Sequence, residues 1–186
     1  MRRSRQYLTA ATAVANGGII GYPTESVYGL GCDPFNFEAV SRLLTIKRRP
    51  EHKGLILLAA DINAVEPLLG ELTPKQQQHL KETWPGPVTW LLPDPMGLIP
   101  DWIKGSFDDV AVRVSAYRPC RELARRCGGL LVSTSANHSQ CEPLKTYQGV
   151  IQQFALELDA VVCGKVEGRS RPSEIRSIEN LKVIRK

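Results

Sequence analysis

Residues 22–33 read Tyr22-Pro-Thr-Glu-Ser-Val-Tyr-Gly-Leu-Gly-Cys-Asp33 and directly follow an apolar run at positions 18–22. The polar side chains of Thr24, Glu25 and Ser26 then stand at a strand end, where α/β folds tend to bind ligands. The segment matches neither the dinucleotide glycine fingerprint nor the phosphate-binding P-loop. It predicts an α/β fold whose ligand site begins here, although a tight glycine-containing turn fits the same residues.

Outward from this segment, short apolar runs alternate with helical patterns, which predicts a layered α/β fold. The chain begins with an amphipathic helix that repeats Leu8, Ala11 and Ala15 at helical spacing. No repeat or linker divides residues 1–186, so we expect one domain. The predicted strands are residues 18–22, 55–59, 88–92, 110–114, 130–132, 160–162, 174–178 and 182–185. The other predicted helices are 38–47, 63–69, 74–82, 119–127 and 147–155, with a proline-rich loop at 93–107.

Composition narrows the class of protein without choosing a ligand. The 186 residues carry a formal net charge of +5, which favours anionic partners such as ATP or a nucleic acid. Five cysteines, an odd number without a CxxC pair, argue against a disulfide framework or a zinc site and suit a reducing compartment. The longest strongly apolar run, residues 55–60, is far too short to span a bilayer. We therefore expect a cytoplasmic protein without membrane contact.

Two segments offer cations to an anionic ligand. Lys47 ends a predicted helix, where a cation suits the negative end of the helix dipole, and Pro50 should hold Arg49 in an extended loop. A lysine point charge beside an arginine fork suits a polyphosphate. The alternative is a solvated helix end, where such side chains add little to folding stability.

The second of these segments is the apolar strand Val110-Ala-Val-Arg-Val114, which carries Arg113. Alternation puts the three valines on one face and Arg113 on the other, toward a polar groove. A buried guanidinium needs an anionic partner. That partner is either a ligand or an internal Asp or Glu, and an arginine on the wet side of the sheet is a third possibility.

Small polar groups follow another apolar strand, in Leu131-Val-Ser-Thr-Ser-Ala-Asn137. The hydroxyls and the amide can hydrogen-bond phosphate oxygens, a ribose or a carboxylate, although Ser and Asn are also common in turns. The three histidines have no recognisable nucleophilic partner, and no GxSxG, HExxH or paired-carboxylate signature occurs. This absence favours catalysis by positioning and charge stabilisation.

Together these segments resemble the YrdC-like family of threonylcarbamoyl-AMP synthases, from about residue 17 to residue 185. Several elements in one order argue against a chance match, and the chain is most similar to the short bacterial form, which lacks an additional C-terminal domain. The matching elements are YPTESVYGLGCDP from Tyr22, KRR at 47–49, KGLILLA from Lys53, WPGPVTWLLP from Trp84, VAVRV from Val110, STSAN from Ser133 and PSEIR from Pro172.

The resemblance implies a three-layer α/β fold with a twisted mixed sheet and a large basic concave groove. It also implies a reaction: threonine and bicarbonate give N-carboxy-threonine, whose carboxylate attacks the α-phosphorus of ATP and releases pyrophosphate. Magnesium arrives with the triphosphate, ligated mostly by phosphate oxygens and water, so no tightly held protein-ligated metal is expected. Partner enzymes then transfer the threonylcarbamoyl group to adenosine 37 of tRNA.

The resemblance also implies residue roles where its motifs match this sequence. Lys47 and Arg49 are the expected catalytic residues, because they bind the ATP phosphates and stabilise developing charge. The residues expected to bind L-threonine are Thr24, Arg113, Ser133 and Ser173. The residues expected to bind ATP are Lys47, Arg49, Ser135, Asn137 and Arg185.

Three departures from the family pattern bear on these roles. His138-Ser139-Gln140 replaces the usual Ser-Gly after the SAN element, Glu174 follows Ser173 where many relatives have Thr, and the basic tail ends at Lys186. Two alternatives from other classes use the same fold. One is an RNA-binding or ribosome-maturation module, which the 6% aromatic content does not favour. The other is a domain of a hydrogenase-maturation protein, whose acylphosphatase and zinc-finger modules are missing here.

Overall fold

The computed structural model describes residues 2–168 and 173–185. Helices and strands alternate along most of this chain. The strands are β1 (Ile20–Pro23), β2 (Tyr28–Gly31), β3 (Ile56–Ala59), β4 (Val88–Leu92), β5 (Val110–Val114), β6 (Leu130–Ser135), β7 (Ala160–Val161), β8 (Glu174–Ser177) and β9 (Val183–Arg185). The helices are α1 (Arg2–Ala15), α2 (Phe37–Lys47), α3 (Glu66–Leu69), α4 (Pro74–Thr83), α5 (Asp101–Lys104), α6 (Arg118–Arg126) and α7 (Tyr147–Phe154).

All of these strands join one sheet in the order β7-β1-β2-β6-β3-β5-β4-β8-β9. The pairs β1/β7, β3/β5 and β4/β8 are parallel, and the other neighbours are antiparallel. The predicted α/β fold with a mixed sheet is therefore confirmed. No helix in the described ranges has the length and apolar character needed to cross a membrane.

The segment at 22–33 forms a β-hairpin. Thr24 closes its turn, because the backbone N–H and Oγ1 of Thr24 both donate to the Val27 carbonyl oxygen, at 3.0 and 2.7 Å. Strand β2 then lies between β1 and β6, and Gly31 is required there because a Cβ would come within 2.3 Å of the Val132 carbonyl oxygen. The sequence pattern does not predict β2, since its two glycines interrupt the apolar alternation.

Alternate residues of the central strands pack into two separate apolar layers. Leu57 faces one layer, with Leu43 of α2, whereas its neighbour Leu58 faces the other, with Val14 of α1 and Leu123 of α6. Helices therefore cover both faces of the sheet, which gives the expected three layers.

The layer formed by α1 and α6 covers only part of its face. Its strand residues come from the side of the sheet around β1, β6 and β3, such as Ile20, Leu131 and Leu58. Arg113 of β5 is the register neighbour of Leu58 and points to the same face, opposite the buried Val112 and Val114. The predicted alternation of β5 is thus confirmed, and the neighbouring part of this face stays open as a cleft.

Several local predictions are wrong in detail. The predicted helix at 63–69 is a 3₁₀ turn, Ile62–Val65, followed by the single turn of α3. The loop predicted at 93–107 contains α5, and the Asp94 carboxylate orders this loop by accepting from the N–H groups of Leu98 and Ile99 and from Lys104. In α1 the buried face carries Ala10, Ala11 and Val14, whereas Leu8 and Ala15 are exposed.

Candidate functional site

A cleft of about 360 Å³ lies on the open part of the sheet. Polar and apolar side chains line it together, and β3 forms its floor through Ile56 and Leu58. Seven of the predicted site residues line this cleft. They are Thr24, Arg49, Arg113, Ser133, Ser135, Ser173 and Arg185.

Strand register gives the cleft two ends. Arg49 donates to the Gly54 carbonyl oxygen just before β3, whereas Arg113 lies beside Leu58, four residues later. At about 3.3 Å per residue, these anchor points lie roughly 13 Å apart. Ser133 pairs with Ile56, so Ser135 lies toward the end that holds Arg49. We call these the Arg49 end and the Arg113 end.

At the Arg113 end the guanidinium has an internal acid as its partner. Nη2 of Arg113 donates to Glu25 Oε1 at 2.5 Å, and Nε donates to the Gly86 carbonyl oxygen at 3.3 Å. Glu25 is 2% exposed, and the same oxygen also accepts from Ser115 Oγ at 2.6 Å. Among the described residues, no hydrogen bond involves Nη1 of Arg113. The ion pair thus fixes the guanidinium and leaves one nitrogen for a ligand.

Two cleft hydroxyls are held by other hydroxyls behind them. Tyr22 donates to Ser133 Oγ at 2.8 Å, and Thr89 donates to Ser173 Oγ at 2.9 Å. Burial raises the pKa of Tyr22 far above its ordinary value, so its hydroxyl keeps the proton that it donates. The Ser133 and Ser173 protons can therefore point away from these donors, toward a ligand oxygen.

At the Arg49 end the cations meet only neutral partners. Arg49 donates to the carbonyl oxygens of Lys53 and Gly54, and Arg185 to that of Ser173 at 3.5 Å. Within residues 2–168 and 173–185 neither arginine forms an ion pair. Burial lowers the pKa of Arg49, and Arg185 lowers it further through charge repulsion. An anion placed here would relieve that repulsion.

A left-handed turn directs Arg49 into the cleft. Arg48 ends α2 with φ 51° and ψ 43°, and its N–H donates to Thr45. The N–H of Arg49 then returns to the Leu44 carbonyl oxygen at 2.9 Å, as in a Schellman cap. Asparagine or glycine usually occupies this left-handed position, so the sequence gives no signal for the turn.

Lys47 and Asn137 lie behind the cleft wall. Lys47 is 3% exposed, and its ammonium donates to the carbonyl oxygens of Ser135 and Asn137 and to Asn137 Oδ1. Burial, with a smaller effect from Arg49, lowers the pKa of Lys47 to about 8. The alternative of a solvated helix end is therefore wrong for Lys47, because all three ammonium protons have acceptors inside the protein.

The side chain of Asn137 joins Lys47 to the loop that follows β6. Its Oδ1 also accepts from Ser135 Oγ at 2.6 Å, and its Nδ2 donates to the carbonyl oxygens of His138 and Cys141. Strand β6 extends to Ser135, so Ser133 and Ser135 lie within a strand and share one face, which corrects the predicted end at residue 132.

The departure at His138-Ser139 forms a specific contact with α2. His138 Nδ1 lies 2.8 Å from the Ile46 carbonyl oxygen, and the ring packs edge-on against Phe154 at 5.1 Å. The N–H of Ser139 donates to the Lys47 carbonyl oxygen at 2.8 Å. These residues therefore satisfy carbonyl groups at the end of α2, which any helix must otherwise leave unpaired.

Sequence reasoning missed the residues that hold the cleft residues from behind. Tyr22, Thr89 and Ser115 sit in or beside apolar strands, and nothing in the local pattern marks them as polar partners. Two rim residues, Glu142 and Lys145, were also missed because they lie in a loop. The last motif is described only in part, since Pro172 lies outside the described residues. No cluster of three or more His, Cys, Asp or Glu that could bind a metal occurs in the described ranges.

Fold and site together define a class: an α/β protein with a ligand cleft on an open sheet face, lined by arginines and hydroxyls. A family model described as "Telomere recombination", for Sua5, YciO and YrdC, matches residues 12–186. Because this match spans nearly the whole chain, the protein belongs to the Sua5/YciO/YrdC family.

Individual relatives agree with this assignment. Threonylcarbamoyl-AMP synthase of Cellvibrio japonicus is 47% identical over 176 residues, which is 95% of this chain and 93% of the relative. The protein of the same name from Methylococcus capsulatus is 48% identical over 166 residues, 89% of each chain. The crystal structure of P. abyssi Sua5 complexed with L-threonine superposes with a TM-score of 0.86 at 28% identity. It covers 95% of this chain, which spans only 52% of that longer protein.

Proposed function

We propose that this protein is a nucleotidyltransferase that forms L-threonylcarbamoyl-AMP and pyrophosphate from L-threonine, bicarbonate and ATP. The observation that carries the proposal is the pair of cleft ends. The Arg113 end offers one charge-balanced guanidinium beside hydroxyls, which suits the carboxylate of an amino acid. The Arg49 end offers two cations without acidic partners among the described residues, which suits a polyphosphate. The names of the close relatives support the same reaction.

In the proposed complex, L-threonine lies at the Arg113 end. Arg113 binds its α-carboxylate through the free Nη1 and a second proton of Nη2, and Ser133 and Ser173 complete the site. Thr24 lines the same cleft, although its hydroxyl proton is directed to the Val27 carbonyl oxygen. Its oxygen therefore accepts a hydrogen bond, which fits a substrate amine better than a carboxylate.

ATP, as its magnesium complex, lies at the Arg49 end with its phosphates against Arg49 and Arg185. Ser135 is the proposed nucleotide-side residue, and Asn137 and Lys47 support it from behind the cleft wall. The threonine amine attacks bicarbonate to give a carbamate with loss of water. A carbamate oxygen then bonds to the α-phosphorus while the bond to the pyrophosphate oxygen breaks. Arg49 stabilises the charge that develops during this displacement.

The product then passes to partner enzymes that transfer its threonylcarbamoyl group to adenosine 37 of tRNA. In this proposal residues 1–186 act as one domain, and the reaction takes place in the cytoplasm. Direct RNA binding has weaker support, because several helix α6 cations already have acidic partners. Arg125 lies 3.5 Å from Asp61 and 3.4 Å from Glu122, and Arg126 lies 2.8 Å from Glu122.

The test is pyrophosphate release by the purified protein with each substrate omitted in turn. We expect release only when ATP, bicarbonate and L-threonine are all present, and mass spectrometry should detect the threonylcarbamoyl adenylate. L-serine, which lacks the methyl group of threonine, and L-valine, which has a methyl group in place of the hydroxyl, serve as comparison substrates. Equal release without any amino acid would reject the synthase assignment. Tight binding of tRNA without turnover would favour the RNA-binding alternative.

A further inference from the structure

Glu25 is the acid that distinguishes the two cleft ends. It is almost fully buried, it belongs to the hairpin turn that opens the cleft, and it lines the cleft beside Arg113. Its Oε1 has two donors, Arg113 and Ser115, so its position is defined by more than the ion pair. A buried carboxylate is costly unless it has such partners, which suggests a role that an uncharged residue would not fill.

We propose that Glu25 is a specificity-determining residue that keeps phosphate groups out of the Arg113 end of the cleft. The proposal rests on the function proposed above, in which one cleft must sort an amino-acid carboxylate from a polyphosphate. Both ligands are anions that arginine binds well, so the arginines alone do not separate them.

Charge separates the ligands where shape does not. With Glu25 ionised, the Glu25–Arg113 pair has no net charge, and a carboxylate with a single negative charge binds through directed hydrogen bonds to the guanidinium. A phosphate group with two or more charges meets stronger repulsion from Glu25, because Coulomb energy scales with the ligand charge. At the Arg49 end no acidic partner occurs among the described residues, so polyphosphate is favoured there.

Charged groups of several elements lie near this pair, including Arg121 of α6, which donates to the Ser115 carbonyl oxygen at 2.7 Å. The cleft lining holds Arg49, Arg185, Lys145 and Glu142 besides the pair, all from other elements. Glu142 and Lys145 are exposed on the rim, where solvent and salt screen their charges. Glu25 is thus the buried acid of the described cleft, and its removal should change the net charge at the Arg113 end most strongly.

The experiment uses inorganic pyrophosphate as the probe and isothermal titration calorimetry of the full chain without nucleotide. We expect the wild-type protein to bind one equivalent of pyrophosphate and to bind L-threonine with a Kd that pyrophosphate leaves unchanged within about twofold. In Glu25→Gln, which keeps the shape but removes the charge, pyrophosphate should bind at a second site. It should then raise the apparent Kd for L-threonine by about tenfold or more, since a buried charge acts through a low dielectric.

Two further variants separate charge from structure. Glu25→Asp keeps the charge, and Ser115→Ala removes one hydrogen bond to Glu25 but leaves the charge in place, so both should keep the single pyrophosphate site of the wild-type protein. Unchanged stoichiometry and unchanged competition in a folded Glu25→Gln protein would overturn the proposal. Competition between pyrophosphate and L-threonine in the wild-type protein would also overturn it, and this result needs no variant.

The experiment distinguishes a failure of the role proposed for Glu25 from a failure of the proposed function. A wild-type protein that binds pyrophosphate but neither binds nor turns over L-threonine would reject the synthase assignment. In that case the number of pyrophosphate sites in wild type and Glu25→Gln still decides whether Glu25 excludes phosphate. Full turnover with identical pyrophosphate stoichiometry in both proteins would reject only the role of Glu25.

Discussion

Arg113 and Arg49 line the same cleft, but the fold holds them in different ways. Arg113 projects from a strand and is fixed by a buried acid, whereas Arg49 follows a helix end and donates only to backbone carbonyl oxygens. The first arrangement gives a rigid guanidinium whose charge Glu25 balances. The second gives a guanidinium that has no acidic partner among the described residues. One residue type therefore provides two kinds of anion site, and the surroundings decide which.

The largest effect is expected for Lys47, which supports the Arg49 end. Lys47→Met keeps the volume but removes the ammonium from three oxygens of Ser135 and Asn137, of which the Asn137 carbonyl oxygen has no other donor among the described residues. We expect the free energy of unfolding to fall by about 1–3 kcal/mol, because a buried acceptor without a partner is costly. Turnover should fall about 100-fold, since the end of β6 that carries Ser135 loses its anchor. Urea denaturation and pyrophosphate release measure the two effects.

Arg48→Ala is the matched control for this variant. Arg48 is the next residue along the chain, but it is exposed. Stability should change by less than about 0.5 kcal/mol, as at other surface positions. If Lys47→Met were as stable as Arg48→Ala, the buried hydrogen bonds of Lys47 would contribute nothing and the support role would be wrong.

Arg49→Ala should separate the two ends by activity. It removes a cation that pairs with no acid among the described residues, so we expect the free energy of unfolding to change by about 1 kcal/mol or less. Turnover should fall about 100-fold, as for loss of a charge-stabilising donor. The Kd for L-threonine, measured by calorimetry without ATP, should stay within about twofold of wild type. A large loss of threonine affinity would mean that the ends are not independent.

Arg113→Lys tests the other end with a smaller expected effect. The ammonium keeps the charge and a partner in Glu25 but loses the planar fork that grips a carboxylate. The KM for L-threonine should rise about tenfold, with the KM for ATP unchanged, because one bidentate contact is lost. A lower melting temperature with normal threonine dependence would show that Arg113 serves only the internal ion pair.

Much of the fold is predictable from the sequence because strands such as 88–92 and 110–114 carry complete apolar patterns. Strand β2 is not predicted by the same reasoning, since a Cβ at Gly31 would clash with the backbone of β6 and one at Gly29 would crowd the side chains of Thr24 and Tyr22. Helix α5 is not predicted either, because its single turn is stabilised by Asp94, a residue outside the helix. Local sequence patterns thus predict elements that bury their own side chains. They miss elements whose conformation depends on residues outside the element.

The same division applies to the candidate site. Residues that line the cleft carry unusual polarity in apolar segments, so Arg113 and Ser133 can be found in the sequence. The partners that hold them, Tyr22 and Glu25, lie 111 and 88 positions away from Ser133 and Arg113 respectively, and no spacing rule connects the four. The buried state of Lys47 is equally invisible, because its acceptors lie 88 and 90 positions further along the chain.

The smallest expected effect concerns Tyr22, which holds Ser133 from behind at the Arg113 end. Tyr22→Phe removes one donor from Ser133 Oγ, and the free energy of unfolding should fall by about 1 kcal/mol, the usual net value of a hydrogen bond. The freed Ser133 hydroxyl can rotate away from the ligand, so the KM for L-threonine should rise about threefold while the KM for ATP stays constant. Ser133→Ala supplies the decisive background, because Tyr22 has no cleft hydroxyl to orient there. If Tyr22→Phe still raised the KM for L-threonine in the Ser133→Ala protein, its effect would pass through general packing. No further rise would show that the buried tyrosine acts on the cleft through Ser133 alone, and that the Arg113 end is rigid in its hydroxyls as well as in its guanidinium.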